Sequence, residues 1–441
     1  MGGGLLQLVA FGAQDAYISG NPHITFWKVL YKRHTNFAIE AFRVNFTGSP
    51  MYGQRVVAIV NRNADLIWKT YVEITLPDTS FGAGVDINWS SGAQRRLGYL
   101  MLKQIEVEIG GQIIDRHYGE WLYLWETLTT DFDTSMKLDN MVGGQYAGAP
   151  STITTADACG GRPKVLYVPL QFWFNRNPGL ALPLIALQYH EVRFNITLED
   201  SVNLVNGTAG QAGTVSSQAA RLPNLKDMAM YMDYVYLDVD ERRRFAQESH
   251  EYLIDQVQYT GQQTITTASG RLDLTLNHPV KELIWVFQDS RRTDCGSDTT
   301  IAAGFTEPFR YDDIVNRARL QINGQDRFDE RYGDYFWKVQ PYQHHTGGGF
   351  PRNIGMTTAL PNASPNPINV YSFAIQPEEH QPSGTCNFSR IDSATLVFDS
   401  VTSTSAGTFP SKAYPYNFRI YAVNYNIFRI MSGMGGLAYS N

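Results

Sequence analysis

Few side chains in this chain are suited to chemistry, and each also has an ordinary structural use. Two acidic pairs, Asp131/Asp133 and Asp238/Asp240, have the residue type of an acid/base couple, in which one carboxyl donates a proton while its neighbour accepts one. Their spacing, at the ends of elements, suits solvated carboxylates instead. His344-His345, followed by Gly347-Gly348-Gly349, sets imidazoles beside a pliant backbone, the raw material of a metal or phosphate cradle. No third ligand falls at a fixed spacing and no strand, glycine loop and Lys-Ser/Thr sequence accompanies it, so the base of a flexible loop is expected. Glu378, Glu379 and His380 precede Pro382 and read as a solvated turn. Arg242-Arg243-Arg244 is the one basic run, but Asp238, Asp240, Glu241, Glu248 and Glu251 cancel its field. It reads as a salt-bridged linker. No residue is assigned to catalysis, a cofactor or a metal.

Composition narrows the class further. The net charge of −6 over 441 residues supplies no positive field for nucleic acid or an anionic membrane. Cys159, Cys295 and Cys386 are an odd number without a CxxC pair, so neither a disulfide framework nor a zinc site is expected, and a reducing compartment is. The amino terminus has no basic segment ahead of a signal-length apolar run, and no later stretch reaches transmembrane length, which predicts a soluble cytosolic product. Gly2 invites myristoylation, but Leu6 stands where that pattern wants Ser or Thr. Six Asn-x-Ser/Thr sequons, at Asn45, Asn88, Asn195, Asn206, Asn362 and Asn387, say little about glycan sites without a secretory signal.

The elements that would carry such residues are strands. Aromatics make up 13% of the chain and charged residues only 18%, a balance that favours β-structure. Residues 41–48, 55–60, 66–77, 103–111, 164–174 and 191–200 alternate or run apolar and then meet turn residues, as do 271–277, 282–288, 317–324, 369–375, 394–400 and 417–430. One helix is expected per half. Trp121, Leu124, Trp125 and Leu128 fall at i, i+3, i+4 and i+7, and Pro341 is expected to cut the second helix short. Long polar stretches at 79–96, 131–163, 201–224, 289–308, 345–367 and 401–413 read as an exposed crown of loops.

The chain also repeats itself. GQIIDRHYGEWLYLW (111–125) returns as GQDRFDERYGDYFWKV (324–339). Ile109, Gly111 and Gln112 match Ile322, Gly324 and Gln325 at an offset of 213 (322 minus 109), and Tyr118-Gly119 matches Tyr332-Gly333 at 214. Upstream, Asp65-Leu66-Ile67-Trp68 matches Glu282-Leu283-Ile284-Trp285 at 217. Matches on nearly one diagonal predict tandem copies of one domain. The expected organisation is an arm at 1–25, a first domain at 26–237, a linker at 238–255 and a second domain at 256–441.

The arm carries a mismatch. Gly2, Gly3 and Gly4 loosen its end, yet Leu5, Leu6, Leu8, Val9 and Phe11 are too apolar to stay in water. Either they pack under their own domain or they wait for an assembly partner.

Four longer stretches carry a resemblance: GGGLLQLVAFGAQDAYISGNPHITFWKVLYKRHTNFAIE (2–40), DVDERRRFAQESHEYLIDQVQ (238–258), PSGTCNFSRID (382–392) and YNIFRIMSGMGGLAYSN (425–441). They resemble the major capsid proteins of nucleocytoplasmic large DNA viruses, close to those of algal viruses. The resemblance implies an all-β chain of two tandem eight-stranded antiparallel jelly rolls, with short helices and long surface loops. It also implies a non-enzymatic homotrimer with pseudo-sixfold outline, tiling an icosahedral shell over an internal membrane. The implied partners are further copies of the chain, neighbouring capsomers, and penton and minor capsid proteins; assembly is expected in the host cytoplasm, with the arm inward and the loops outward. A minor capsid component and a double jelly-roll glycan-binding protein or glycan-active enzyme are the alternatives.

Overall fold

The structure, a computed structural model, describes residues 2–77, 88–89, 96–143, 165–206, 222–267, 269–290, 308–347, 366–400 and 415–439. Most of the expected crown of loops lies outside these residues. Residues 1–37 and 38–441 form two separate compact units. The first carries two seven-residue helices, Gly3–Val9 and Ala13–Ser19.

In the first half the strands are β1 (Phe37–Thr47), β2 (Arg55–Ile59), β3 (Leu66–Thr75), β4 (Asn88–Trp89), β5 (Leu102–Ile109), β6 (Gln112–Tyr118), β7 (Val165–Pro169), β8 (Leu182–Pro183), β9 (Val192–Leu198), β10 (Val205–Asn206) and β11 (Asp227–Leu237). They hydrogen-bond in the order β6-β5-β9-β2-β1-β11-β3-β7, with β8 added beside β3 and β4 paired with β10. The second half contributes β12 (His250–Tyr259), β13 (Gln263–Ile265), β14 (Ser269–Asp273), β15 (Pro279–Asp289), β16 (Val315–Ile322), β17 (Gln325–Asp326), β18 (Arg331–Tyr332), β19 (Asn369–Ser372), β20 (Cys386–Asn387), β21 (Ala394–Ser400), β22 (Tyr416–Met431) and β23 (Met434–Leu437). These form two sheets, β12-β22-β15-β19 and β14-β21-β16-β17, with short strands added at their margins.

The two orders coincide. β6-β5-β9-β2 corresponds to β17-β16-β21-β14, and β1-β11-β3-β7 to β12-β22-β15-β19. This is one eight-stranded jelly roll written twice, with Trp68 on β3 and Trp285 on β15 in the same place. The first copy differs in being continuous: β1 pairs with β2 through Phe46↔Ala58 and Thr47↔Val57, so its two sheets curl into one.

The repeated motif is explained by backbone geometry. Ile109 pairs with Gln112 and Ile322 with Gln325, so both hairpins turn through two residues. Those residues, Gly110-Gly111 and Asn323-Gly324, all have φ between 50° and 86°, as a type I′ turn requires. A side chain on Gly110 would collide with the His190 ring, whereas Asn323 has room and accepts the amides of Asp392 and Ser393 at 3.0 Å. A bulge opens each preceding strand, between Leu102 and Gln104 and between Val315 and Arg317, again at the 213 offset. The Tyr-Gly pair then passes the start of that strand at close range: a Cβ on Gly119 would lie 2.0 Å from the carbonyl oxygen of Tyr99, just ahead of β5, and 2.5 Å from that of Leu102, and one on Gly333 2.1 Å from that of Val315.

Alternation builds the interiors. On β3, Val72 and Ile74 are buried while Tyr71 and Glu73 lie on the other face. A second core, with Trp285, Phe287, Leu320, Phe398 and Phe418, fills the second roll. The first core runs beyond its own roll and takes in Ile254, Ile284, Val286, Tyr421 and Phe428 from the second half.

Several expectations are corrected. Residues 132–142, expected as loop, form a helix with Asp131 at its N-cap and Gly143 closing it at φ 84°. The expected strand at 164–174 ends at Pro169, and Trp173–Arg176 is a helical turn. Pro341 does not stop its helix. A π-turn at Tyr335–Val339 precedes an α-helix over Gln340–His344, in which Pro341 sits in the first turn where its missing N–H costs nothing. Strands β6, β11 and β12 were not expected, and β12 begins inside the expected linker.

The glycine account predicts an order of stability losses. Gly324→Ala has open space and only its positive φ to resist it, so it should cost about 1 kcal/mol. Gly333→Ala meets backbone and should cost about 3 kcal/mol. Urea midpoints of the two variants check this, and the reverse order would contradict it.

Candidate functional site

The helix Gly119–Thr129 leaves β6 at the Tyr-Gly crossing and packs against the sheet β12-β22-β15-β19 of the second roll, on the face turned away from that roll's interior. Alternation along β22 shows this directly: Phe418, Ile420 and Ala422 face their own core, while Tyr421 and Val423 belong to the core of the first half. The helix meets them with aromatic rings. Trp121 lies 5.7 Å from Tyr421, and Tyr123 stacks on Phe309 at 4.7 Å with the planes 7° apart. Beside them Trp173 meets Phe428 at 6.0 Å.

A charge pair sits in this apolar seam. Arg419 donates from Nε and Nη2 to the two carboxylate oxygens of Glu120, both at 2.7 Å. The same carboxylate accepts from Tyr421 Oη at 2.6 Å and Tyr311 Oη at 3.1 Å, while Arg419 also donates to Gln288 and Gln262. Four of the five guanidinium N–H groups and both carboxylate oxygens are used, close to the condition under which burying a pair is tolerable. Burial and the Glu120 charge hold both phenols well above the usual tyrosine range. A cleft of about 250 Å³ opens beside the pair, but the Glu120 and Arg419 charges on its wall are spent on each other.

Further contacts cross the seam. Asp115 accepts the Val257 amide at 3.1 Å, and Arg176 lies 3.6 Å from Asp255 and over the Trp125 ring. Asp255 in turn neutralises Lys281, which is fully buried and also donates to the Pro377 carbonyl. The carboxy-terminal hairpin adds two more: His190 of the first half hydrogen-bonds the Gly435 carbonyl at 2.9 Å, and the Tyr189 amide donates to Gly433.

The residues suspected of chemistry turn out to be structural. Asp131 and Asp238 are helix N-caps, with Asp133 and Asp240 in the first turns, where the positive end of the helix favours carboxylates. Arg242 makes a two-pronged ion pair with Asp65 at 2.9 and 3.0 Å, and Arg244 pairs with Glu248 along the linker helix Val239–Gln247. The imidazole of His345 is buried, a correction to the loop-base reading. Its Nδ1 donates to Glu378 at 3.0 Å and its Nε2 lies 3.1 Å from Glu282. Burial opposes charge on this ring, but the two carboxylates outweigh it and lift its pKa to about 9. Glu378 also accepts from the Thr346 amide, so it clamps the segment rather than facing solvent. Gly347 is held against the first half by its amide, which donates to Leu128 at 2.7 Å; Gly348 and Gly349 lie outside the described residues.

Besides His345, sequence reasoning missed the buried ions of the seam and, among others, two further buried groups. Arg96 joins Glu126 at 2.6 Å and Asp139 at 2.7 Å, tying the helix Gly119–Thr129 to Phe132–Val142. Burial pushes the Glu126 carboxyl up to about 7, with Arg96 and the Tyr99 hydroxyl opposing the rise. The second is Glu282, which aligns with Asp65 in the repeat; both are buried carboxylates beside the same strand, each matched by a cation from elsewhere. An acid beside an apolar run was the signal available for both.

Among the described residues no group of three or more His, Cys, Asp and Glu could hold a metal, and no described helix is long and apolar enough to cross a membrane. Cys386 is a free thiol; Cys159 and Cys295 lie outside the described residues. Of the sequons, Asn195 is buried and donates to Glu108, Asn45 is exposed on β1, and Asn362 is not described. In the first unit neither helix has a buried residue, and Leu5, Leu6, Leu8, Val9 and Phe11 are all more than half exposed.

Two jelly rolls of one strand order, fused through a charged aromatic seam, define a double jelly-roll protein. Comparison with known proteins agrees along the whole chain. Residues 25–238 match the family described as major capsid protein N-terminus, and residues 241–436 the large eukaryotic DNA virus major capsid protein. The major capsid protein of Pyramimonas orientalis virus is 45% identical and that of Paramecium bursaria Chlorella virus 1 is 40% identical, each over all of both chains. A quasi-atomic structure of the PBCV-1 virus capsid superposes with a TM-score of 0.74 at 36% identity, covering 95% of this chain and 100% of that one. The Faustovirus major capsid protein shares the fold, with a TM-score of 0.70 at 12% identity over 97% and 96% of the two chains. The chain belongs to the major capsid proteins of large eukaryotic DNA viruses. It is a structural protein of the virion shell that associates with its own kind in the capsid lattice.

The His345 pairing predicts a pH dependence. Its folded pKa of about 9 stands above the 6.5 of an ordinary imidazole, so its stabilisation is complete below about pH 6.5 and is lost as pH rises through 9. The loss should be on the order of 3 kcal/mol. Urea midpoints of the parent chain should therefore fall between pH 7 and 10 by more than those of His345→Gln. Equal slopes would contradict the assignment.

Proposed function

We propose that three copies of this chain form a capsomer of pseudo-hexagonal outline, and that its arm locks capsomers into the shell. One observation carries the reading: two jelly rolls of the same strand order share a core within one compact unit, so one molecule offers two similar lattice elements. Three such molecules offer six, which suits a hexagonal lattice although the symmetry is threefold. The chain does no catalysis in this reading. Its further partners are neighbouring capsomers, penton and minor capsid proteins on the inner side near an internal membrane, and assembly takes place in the host cytoplasm.

The arm, taken as residues 1–25 ahead of a first roll at 26–237, a linker at 238–255 and a second roll at 256–441, is the second part of the proposal. Its support is exposed apolar surface: Leu8 is 79% exposed and Phe11 62%. Burying one such side chain contributes on the order of 1.5–3 kcal/mol before the cost of ordering, so several are enough to bias assembly.

The test is deletion of residues 2–11. The truncated chain should remain a trimer with a nearly unchanged melting temperature, while shell formation is lost or distorted. Failure to fold would assign the arm to the core, and normal particles would remove its assembly role. Light scattering that found only the 49.6 kDa chain at micromolar concentration would overturn the trimer itself.

A further inference from the structure

The net charge of the chain hides a local excess of the opposite sign. Residues 1–37 hold Lys28, Lys32 and Arg33 against Asp15 alone, so this unit carries +2 and the remaining 404 residues (441 minus 37) carry −8. No Asp or Glu falls anywhere from Ala16 to Ile39, and all three cations are exposed. The same stretch is apolar. Between Ile24 and Tyr31 every side chain except Thr25 and Lys28 is hydrophobic, and none of them is buried.

The backbone shapes part of this stretch into a tip. Thr25 and Lys28 pair as an isolated antiparallel bridge, and the Thr25 hydroxyl donates to the Lys28 carbonyl at 3.0 Å. A four-residue turn results, with Phe26 and Trp27 at its end and their rings edge to face at 4.7 Å. Phe26 is 88% and Trp27 91% exposed. Lys28 stands at the foot of the turn, with Lys32 and Arg33 following it. A turn that satisfies part of its own backbone loses less when its tip leaves water.

Three kinds of partner take aromatic and basic residues together, and the composition separates them. Nucleic acid stacks its bases on rings, which leaves Ile24, Val29 and Leu30 without a use. The core of a protein interface is depleted of lysine, yet Lys28 lies between Trp27 and Val29. A bilayer surface accepts the whole set. Aromatic rings settle at the headgroup level, aliphatic side chains reach the acyl boundary, and a lysine stem lies along the apolar layer while its ammonium stays among anionic headgroups.

We propose that the turn Thr25–Lys28, with the basic segment behind it, inserts into the surface of an anionic lipid bilayer. Phe26 and Trp27 enter the interface, and Lys28, Lys32 and Arg33 hold the headgroup phosphates. The inference rests on the reading that sets the inner side of the shell near an internal membrane, and it deepens that reading by dividing the first unit between two partners. Residues 2–11 serve contacts between capsomers, and residues 24–33 hold lipid. One tip with three cations binds weakly, and the three tips of a capsomer act together.

Flotation of the full chain tests this, with vesicles of phosphatidylcholine mixed with phosphatidylserine and with vesicles of phosphatidylcholine alone. The parent chain should float with the mixed vesicles and stay behind with the neutral ones, and added salt should release it. Phe26→Ser with Trp27→Ser should weaken binding at least tenfold, as should Lys28→Glu with Lys32→Glu, while the chain lacking residues 2–11 should bind like the parent. Absence of the parent chain from the floated fraction would overturn the inference, and so would retention of single-stranded DNA in place of vesicles. Equal flotation with neutral vesicles would overturn the anionic partner. Unchanged binding in the Phe26/Trp27 variant, or its loss on deletion of residues 2–11, would overturn the assignment to the turn. Flotation is read for trimer and monomer alike, so a failure of the trimer reading shows separately, in light scattering. Should a variant fail to fold, amide exchange in the parent chain decides: protection of residues 24–33 gained on adding mixed vesicles supports the inference, and unchanged exchange overturns it.

Discussion

The structure depends on the seam between its two jelly rolls. A sheet facing solvent on one side would present polar residues there, yet the outward face of β12-β22-β15-β19 carries Ile284, Val286, Tyr421 and Val423, which belong to the core of the first roll. Glu120 and Arg419 fix the register of that contact, because each would be a buried unpaired ion without the other. Aromatic stacking sets the direction of approach, and the ion pair sets the position. The second roll therefore cannot rotate against the first without stranding a charge, and the two act as a single building block.

Duplication kept the backbone devices and let the side chains diverge. The type I′ turn, the opening bulge and the close glycine crossing recur at offsets of 213 and 214. None of these can change without displacing a strand. The helices that follow have separated: Trp121, Tyr123 and Trp125 bury themselves in the seam, whereas their counterparts begin in a π-turn and end in an exposed Tyr342. The buried acid beside β3 and its counterpart on β15 chose different cations, Arg242 from the linker and His345 from the segment after the second helix.

Much of this was legible in the sequence because strand alternation and turn chemistry are local. The duplication, the all-β class and most of the longer strands follow from them, whereas the jelly-roll class came from the resemblance to the capsid family. β11 escaped because Met228, Met230 and Met232 supply its buried face, and methionine gives a weak strand signal. The helix Phe132–Val142 escaped inside a polar stretch, although Asp131 and Gly143 mark its ends. His345 looked like the base of a flexible loop and Glu378 like a solvated turn residue, because Glu282, the partner that buries the pair, is far away in the chain. Ionic pairs between distant segments leave no spacing to read. Only an acid beside an apolar run, as at Asp65 and Glu282, hints at one.

The central claim is that the seam makes the two rolls one cooperative unit. Hydrogen exchange followed by mass spectrometry across a denaturant series tests it, by comparing peptides from β3 in the first roll with peptides from β15 in the second. The account predicts that both lose protection at one midpoint, and that Glu120→Ala lowers that midpoint for both together. Two separate midpoints in the parent chain, or a shift confined to the first roll, would contradict it.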